Sequence, residues 1–454
     1  MPTQPTLELA FAGKMSYFGK PEKHLSILVG LHIAICCISL FVIARGTPAI
    51  DADVFHIHFR LDALWIALLA VTLFSVMGGL FVFCPFSIGY FVGFYFFSMT
   101  SCFLWLTCFS EFPYNHLVAG WSVAISCFAF LLPALLLGRP LKHSLEVSIT
   151  TFDRIVTLTI CLAAIVIASG AYYNFSIPLT GGFDDAREAI LVPRPIGYLA
   201  WISSSSLLPF AFAYSLVRRW YRRFVIVVLL QLLLFPVTLT KTALFTPLWL
   251  TFLQLLSART SPRNAVVLSL LLPMGFGLLL LPLGFTAAGL PFSTVNFRML
   301  AIPALAMDIY NDFFSRHELT HFCQVSLLKT MLACPYRDQL SIVMHNEYHL
   351  GHFNASLFAT EGIASVGLWL APVSAFVCGV IVSFANRVSA SLPNTFILVS
   401  GGMLPQVLLN VPLSVAILTH GAALLCVLWY LTPRQLFVSS GTDPRSQGST
   451  RLAP

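Results

Sequence analysis

The chain has 454 residues, of which 58% are hydrophobic and 9% charged, with a mean hydropathy of +0.86 and a formal net charge of +7. A soluble domain carries about 25% charged residues. With 25 basic and 18 acidic side chains, this chain could not cover a water-exposed surface, which excludes a soluble enzyme, a disordered chain and a coiled coil. The composition reads instead as an all-α, polytopic membrane helix bundle, one integral membrane domain over 1–454.

A helix needs about 20 apolar residues to cross roughly 30 Å of hydrocarbon. On that rule twelve spans are predicted, roughly Leu25–Ala44, Ala63–Phe83, Phe86–Phe109, Leu117–Leu137, Ile155–Ala171, Gly197–Val217, Phe224–Leu239, Ala243–Leu256, Ala265–Ala288, Leu357–Phe384, Thr395–Leu409 and Pro412–Leu431. Gly401, Gly402, Pro405 and Pro412 interrupt the last stretch, so a re-entrant segment there is an alternative. The first span is longer than a typical signal-peptide core and is read as uncleaved.

Basic residues set the orientation. With the N-terminus inside, the cytoplasmic loops hold 16 of the 25 basic residues and 5 of the 18 acidic ones, including the cluster Arg218, Arg219, Arg222 and Arg223. The outer side then holds 9 basic and 13 acidic residues. Both termini are therefore expected in the cytoplasm, with 432–454 a cytoplasmic tail.

Two outer loops are long, 172–196 and 289–356, and together they carry 14 charged residues. The second also holds five of the twelve histidines. It has helical spacing in Ala304–Phe314 (Leu305, Ile309, Tyr310, Phe313) and a second amphipathic stretch in Thr320–Leu332. A loop of this length with its own helices usually has a role. It is either a structural cap over the bundle or a wall of a site at the outer surface. Cys323 and Cys334 share this loop and could pair.

Several motifs carry chemistry. His317-Glu318-Leu319-Thr320-His321 fits H-E-x-x-H, in which two histidines one helical turn apart bind zinc. The resemblance described below lowers that reading, and no metal or cofactor is expected. His345, His349 and His352 would share a face of a helix; a polar interfacial loop is the plain reading, and phosphate or sugar binding or a general base the functional one. Arg187, Arg194 and Lys241 lie on the outer side, where snorkelling competes with contacts to a pyrophosphate. Arg298 stands alone near the membrane at the start of the second long loop, and Glu361 stands at the mouth of the tenth span. No Gly-rich phosphate loop, kinase set, nucleophile elbow or nucleotide-sugar motif is present. No nucleic-acid partner is expected.

The run Arg298, Ile302-Pro303-Ala304, Tyr310, Phe313-Phe314, Thr320, Phe322, Pro335-Tyr336, Asn354-Ala355, Phe358-Ala359, Gly362 and Gly367 resembles the oligosaccharide repeat-unit polymerases, the Wzy-type O-antigen and capsule polymerases. The specific part covers Arg298 to Gly367; the rest is similar in architecture only. The resemblance implies a relation to the membrane glycosyltransferases that use lipid-phosphate donors. It implies a polymerase at the outer face of the bacterial inner membrane, which transfers a glycan from undecaprenyl pyrophosphate to a new lipid-linked repeat unit. Its partners would be that lipid-linked oligosaccharide, membrane lipid and a chain-length regulator. Outer-loop arginines are the family's functional residues and map to Arg187, Arg194 and Arg298, with Lys241 a fourth. Arg298, His352 and Glu361 are then the catalytic candidates. Arg187, Arg194, Lys241, Tyr310, His349 and Asn354 are the substrate-binding ones, and Asp308 is a further candidate base. The alternatives are a lipid-linked oligosaccharide flippase or transporter, an O-antigen ligase-like glycosyltransferase, and a membrane metalloprotease.

Overall fold

A computed structural model describes residues 23–46, 52–142, 144–145, 147–176, 192–283, 291–325, 328, 331–351, 353 and 358–438. Nine helices among them are long and apolar enough to cross a membrane: α1 Lys23–Ala44, α2 Leu61–Phe83, α3 Ile88–Phe109, α4 His116–Leu136, α5 Ile149–Tyr173, α6 Arg194–Val217, α7 Tyr221–Thr238, α9 Pro262–Leu280 and α12 Phe358–Ser389. Between α7 and α9 lies α8, Lys241–Arg259, with a basic residue at each end. Then come α10 Ile302–Arg316 and α11 Leu340–Tyr348, and after α12 the short helices α13 Asn394–Ser400, α14 Leu404–Leu408, α15 Leu413–Leu418 and α16 Ala422–Leu431. The described residues contain no strand; an isolated bridge joins Ile57 and Ser110.

The first four spans begin and end within two residues of their predicted bounds and the fifth starts six residues earlier than predicted, at Ile149; an apolar run of the right length has only one stable state in lipid, the internally hydrogen-bonded helix. Larger departures lie further along. Thr395–Leu409 and Pro412–Leu431 are not two continuous helices but α13 to α16, broken where Gly401, Gly402 and the prolines stop helical bonding. Within 289–356, the π-helical run Phe292–Ala301 continues directly into α10. That helix is no exposed loop element: Pro303 through Phe313 are all buried.

Two compact units make up the chain. The first comprises Met1–Gly138, Thr251–Asn386 and Met403–Leu418. Its centre is α3, whose apolar stretch is 94% buried against 33% for α2; α1, α2, α4, α10 and the π-helical run pack around it. Lipid is as apolar as the side chains, so packing and hydrogen bonds between helices must hold the unit together. They are present: His32 on α1 bonds Ser98 on α3 at 2.8 Å, and Tyr95 bonds Ser269 on α9 at 2.9 Å. Asn296 of the π-helical run donates to Ser39 at 2.8 Å and to the Met274 carbonyl at 2.9 Å. Asn386 takes the Gly89 amide and donates to the Ala134 carbonyl, each at 2.7 Å.

The second unit comprises Arg139–Leu250, Arg387–Gly402 and Thr419–Pro454. Here α6 packs on α5, α7 and α13, and its serine run Ser203–Leu207 widens into a π-turn. Asp153 of α5 accepts from Tyr214 at 2.7 Å and pairs with Arg218 at 3.0 Å, which fixes one end of the unit.

Candidate functional site

Helix α12 is kinked into two arms. Gly367 has φ 76° and ψ 175°, a conformation essentially reserved for glycine. The arms fold back so closely that a Cβ on Gly362 would lie 2.9 Å from the Ala371 Cα. The first arm, 358–366, starts deep in the unit: Phe358 stacks on Phe130 of α4 at 4.4 Å and meets Phe96 of α3 edge-on at 5.5 Å. Nine residues of helix rise only about 13 Å, so this arm alone is too short to cross roughly 30 Å of hydrocarbon.

Glu361 lies in the first turn of that arm, where a helix N-terminus favours a carboxylate. Its Oε2 accepts the Leu413 amide of α15 at 3.4 Å. The carboxyl faces a cavity of about 480 Å³ walled by Phe322, Val325, Val366, Leu370, Val373, Ser374, Val377, Cys378, Ile381, Leu413, Ser414 and Ile417. Every other wall group is apolar except two serines and a thiol. The Ser414 hydroxyl is buried and has no partner among the described residues. Leu370, Val373, Val377 and Ile381 are also exposed on the outside of the second arm, at 55%, 60%, 51% and 41%. The cavity is therefore bordered by exposed apolar side chains of the second arm.

A polar cluster surrounds α10. Asp308 and Asp312, one helical turn apart, are 2% and 0% exposed. Asp308 accepts from the Tyr114 hydroxyl, which also meets Thr107 at 2.9 Å. Burial pushes the Asp308 carboxyl up to about 7, and Asp312 adds to the rise against the hydrogen bonds from Ser110 and Tyr114. Burial, then the Asp308 charge, also raises the Tyr114 phenol. Asp312 pairs with Arg316 and accepts from Tyr348 of α11 at 2.6 Å.

The predicted residues divide as follows. Tyr310 is 4% exposed, and its phenol is raised first by burial and then by the Glu361 charge. Arg298, Arg194 and Lys241 are exposed and have no hydrogen bond or ion pair among the described residues. In the second unit, Asn174 and Ser176 bond the Val237 and Pro236 carbonyls, and Ile196 and Val237 both approach Gly170. One end of that unit thus gathers Arg194, Lys241 and both flanks of 177–191. Arg187, His352 and Asn354 lie outside the described residues.

Three helical expectations are corrected. Helix α10 ends at Arg316, and His317 is extended with its ring stacked on Phe313 at 4.0 Å. His321 has φ 48°, so the H-E-x-x-H residues do not share a helix face. The described part of Thr320–Leu332 forms turns, tied by a disulfide between Cys323 and Cys334 with Cα atoms 5.3 Å apart. Helix α11 stops at Tyr348, and His349 caps it with φ 55°; the predicted shared face of His345, His349 and His352 therefore breaks at His349.

Sequence reasoning missed the cavity walls and Tyr114. The Asp308–Asp312 spacing was visible, but Tyr114 lies 194 residues from Asp308 and carries no local signal. The chain matches no known protein-family model, no characterised protein and no solved structure.

Proposed function

We propose that the protein is a membrane glycosyltransferase that polymerises undecaprenyl-pyrophosphate-linked repeat units into O-antigen or capsular polysaccharide at the outer face of the inner membrane. The observation that carries this reading is the apolar cavity with Glu361 in its wall, bordered by exposed apolar side chains; on this reading its mouth faces the bilayer. An apolar cleft of roughly 300–1,000 Å³ with few polar groups is the usual form of a ligand site. A lipid-borne acceptor would enter from the bilayer and present its hydroxyl to Glu361 as general base. Arg298, exposed and unpaired among the described residues, would stabilise the pyrophosphate leaving group electrostatically.

The Cys323–Cys334 bridge supports the outward placement of 317–349, since disulfides persist in oxidising compartments. Deletion followed by complementation tests the function: the deleted strain should carry a single repeat unit on its surface glycan. A normal ladder of chain lengths in that strain would sink the proposal.

A second reading, a lipid-linked oligosaccharide flippase, draws on Asp308 and Asp312, because buried acids within a bundle commonly mark transport paths. It predicts that deletion abolishes surface glycan altogether.

A further inference from the structure

Helices α6 and α7 are joined by three residues, Arg218–Trp220. The Trp220 amide donates to the Ser215 carbonyl at 2.9 Å and the Arg219 amide to the Leu216 carbonyl at 3.1 Å. This pair of bonds closes a helix C-terminus around one residue in the left-handed region, where glycine is the usual occupant. Here that residue is Arg219, at φ 55°, a conformation strained for any residue with a Cβ. Two further arginines, Arg222 and Arg223, stand in the first turn of α7, where the helix dipole opposes cations. An orientation signal does not require these placements, because the same charge would sit at lower cost in the last turn of α6. Local rules broken in this way mark functional positions.

The cluster is braced. Arg218 pairs with Asp153 of α5 at 3.0 Å, and Arg223 donates to the Thr157 hydroxyl at 2.9 Å. Both guanidiniums lie against the Trp220 ring, at 4.9 and 3.9 Å from its centroid. Arg219 and Arg222 are exposed and have no hydrogen bond or ion pair among the described residues. Asp153 is the one acid in 149–160 and 214–226, against Arg154, Arg218, Arg219, Arg222 and Arg223. The surplus positive charge lies at a fixed depth. Both α6 and α7 are long and apolar enough to cross a bilayer, and three residues reach at most about 10 Å, so the turn stays among the lipid headgroups. Beside it along the two helices, Val217, Tyr221, Val225 and Ile226 are exposed, a surface suited to hydrocarbon chains. A free phosphate would use the arginines alone; a phospholipid uses both surfaces.

We propose that this turn binds an anionic phospholipid, its phosphate held by Arg219 and Arg222 and its chains lying along the exposed apolar side chains of α6 and α7. Guanidinium forks match phosphate oxygens two at a time. The Trp220 brace holds Arg218 and Arg223 back on α5, which leaves Arg219 and Arg222 for the lipid. The site is independent of the proposed reaction.

The test uses the full chain in nanodiscs of phosphatidylcholine, with or without a minor fraction of phosphatidylglycerol. Native mass spectrometry of the released protein reads the ratio of bound phosphatidylglycerol to bound phosphatidylcholine. The parent should enrich phosphatidylglycerol above its share of the disc. Arg222→Gln should cut that enrichment by about fivefold, the worth of one basic residue at an anionic surface, and Arg219→Gly by a similar factor. Lys142→Gln removes the same charge from an exposed position elsewhere in the unit and should leave the enrichment unchanged. Arg219→Gly has a second readout that a structural role would not give. In phosphatidylcholine alone its Tm should equal or exceed the parent's, because glycine relieves the strained φ. Added glycerol phosphate, a headgroup without chains, should not displace the lipid. No enrichment in the parent, undiminished enrichment in Arg222→Gln and Arg219→Gly, an equal loss in Lys142→Gln, a lower Tm for Arg219→Gly, or displacement by glycerol phosphate would each overturn the site.

Discussion

Glu361 combines a charge with an apolar wall, and its neighbours assign it a role that substitution can test. Glu361→Gln keeps the shape and the Leu413 contact but removes the base. On the proposed chemistry, chain extension should fall by about 10²–10⁴-fold with unchanged protein level, read as loss of the surface glycan ladder. A full ladder in that strain would remove Glu361 from the mechanism. Arg298 is tested by exchange rather than deletion. Arg298→Ala should collapse the ladder, while Arg298→Lys, a point charge without the planar fork, should restore only the shorter chains. Equal ladders for Lys and Arg would mean that charge alone suffices there. Both positions were legible in the sequence, since a charged residue in so apolar a chain is conspicuous. That the Glu361 charge acts on the Tyr310 phenol was not, because the two stand far apart in the sequence.

Among the elements, the broken helix α12 shows what hydropathy reads well and what it misses. The apolar run was visible and gave a span; the turn at Gly367 was not, since apolar length does not record backbone direction. Gly367→Ala should cost about 1–3 kcal/mol, because alanine is strained at that φ and ψ. Gly362→Val should cost more through the Ala371 approach. Thermal unfolding in detergent measures both, and a Gly367→Ala protein with parental Tm would mean the arms do not depend on this turn. The amphipathic stretch at Thr320–Leu332 failed as a helix for a different reason. Its described residues are held by the Cys323–Cys334 bridge and by Thr320 and His321 amides bonded to the Ala364 and Ser365 carbonyls. Those contacts tie it to α12 and override helical propensity.

For the whole molecule, charge sorted by side and the disulfide give two independent statements about orientation. The arginine cluster 218–223 is expected inside and the Cys323–Cys334 loop outside. In spheroplasts, a membrane-impermeant maleimide should gain two labelled thiols after mild reduction, and the gain should vanish in Cys323→Ser/Cys334→Ser. Absence of that gain would reverse the orientation. On the proposed reading, the apolar border of the cavity has a further consequence. A ligand that enters from the bilayer meets the protein in two dimensions, so its effective concentration is its mole fraction among lipids rather than its molarity. Turnover should then be unchanged when vesicles are diluted in buffer, and should fall when the same substrate is spread through added lipid.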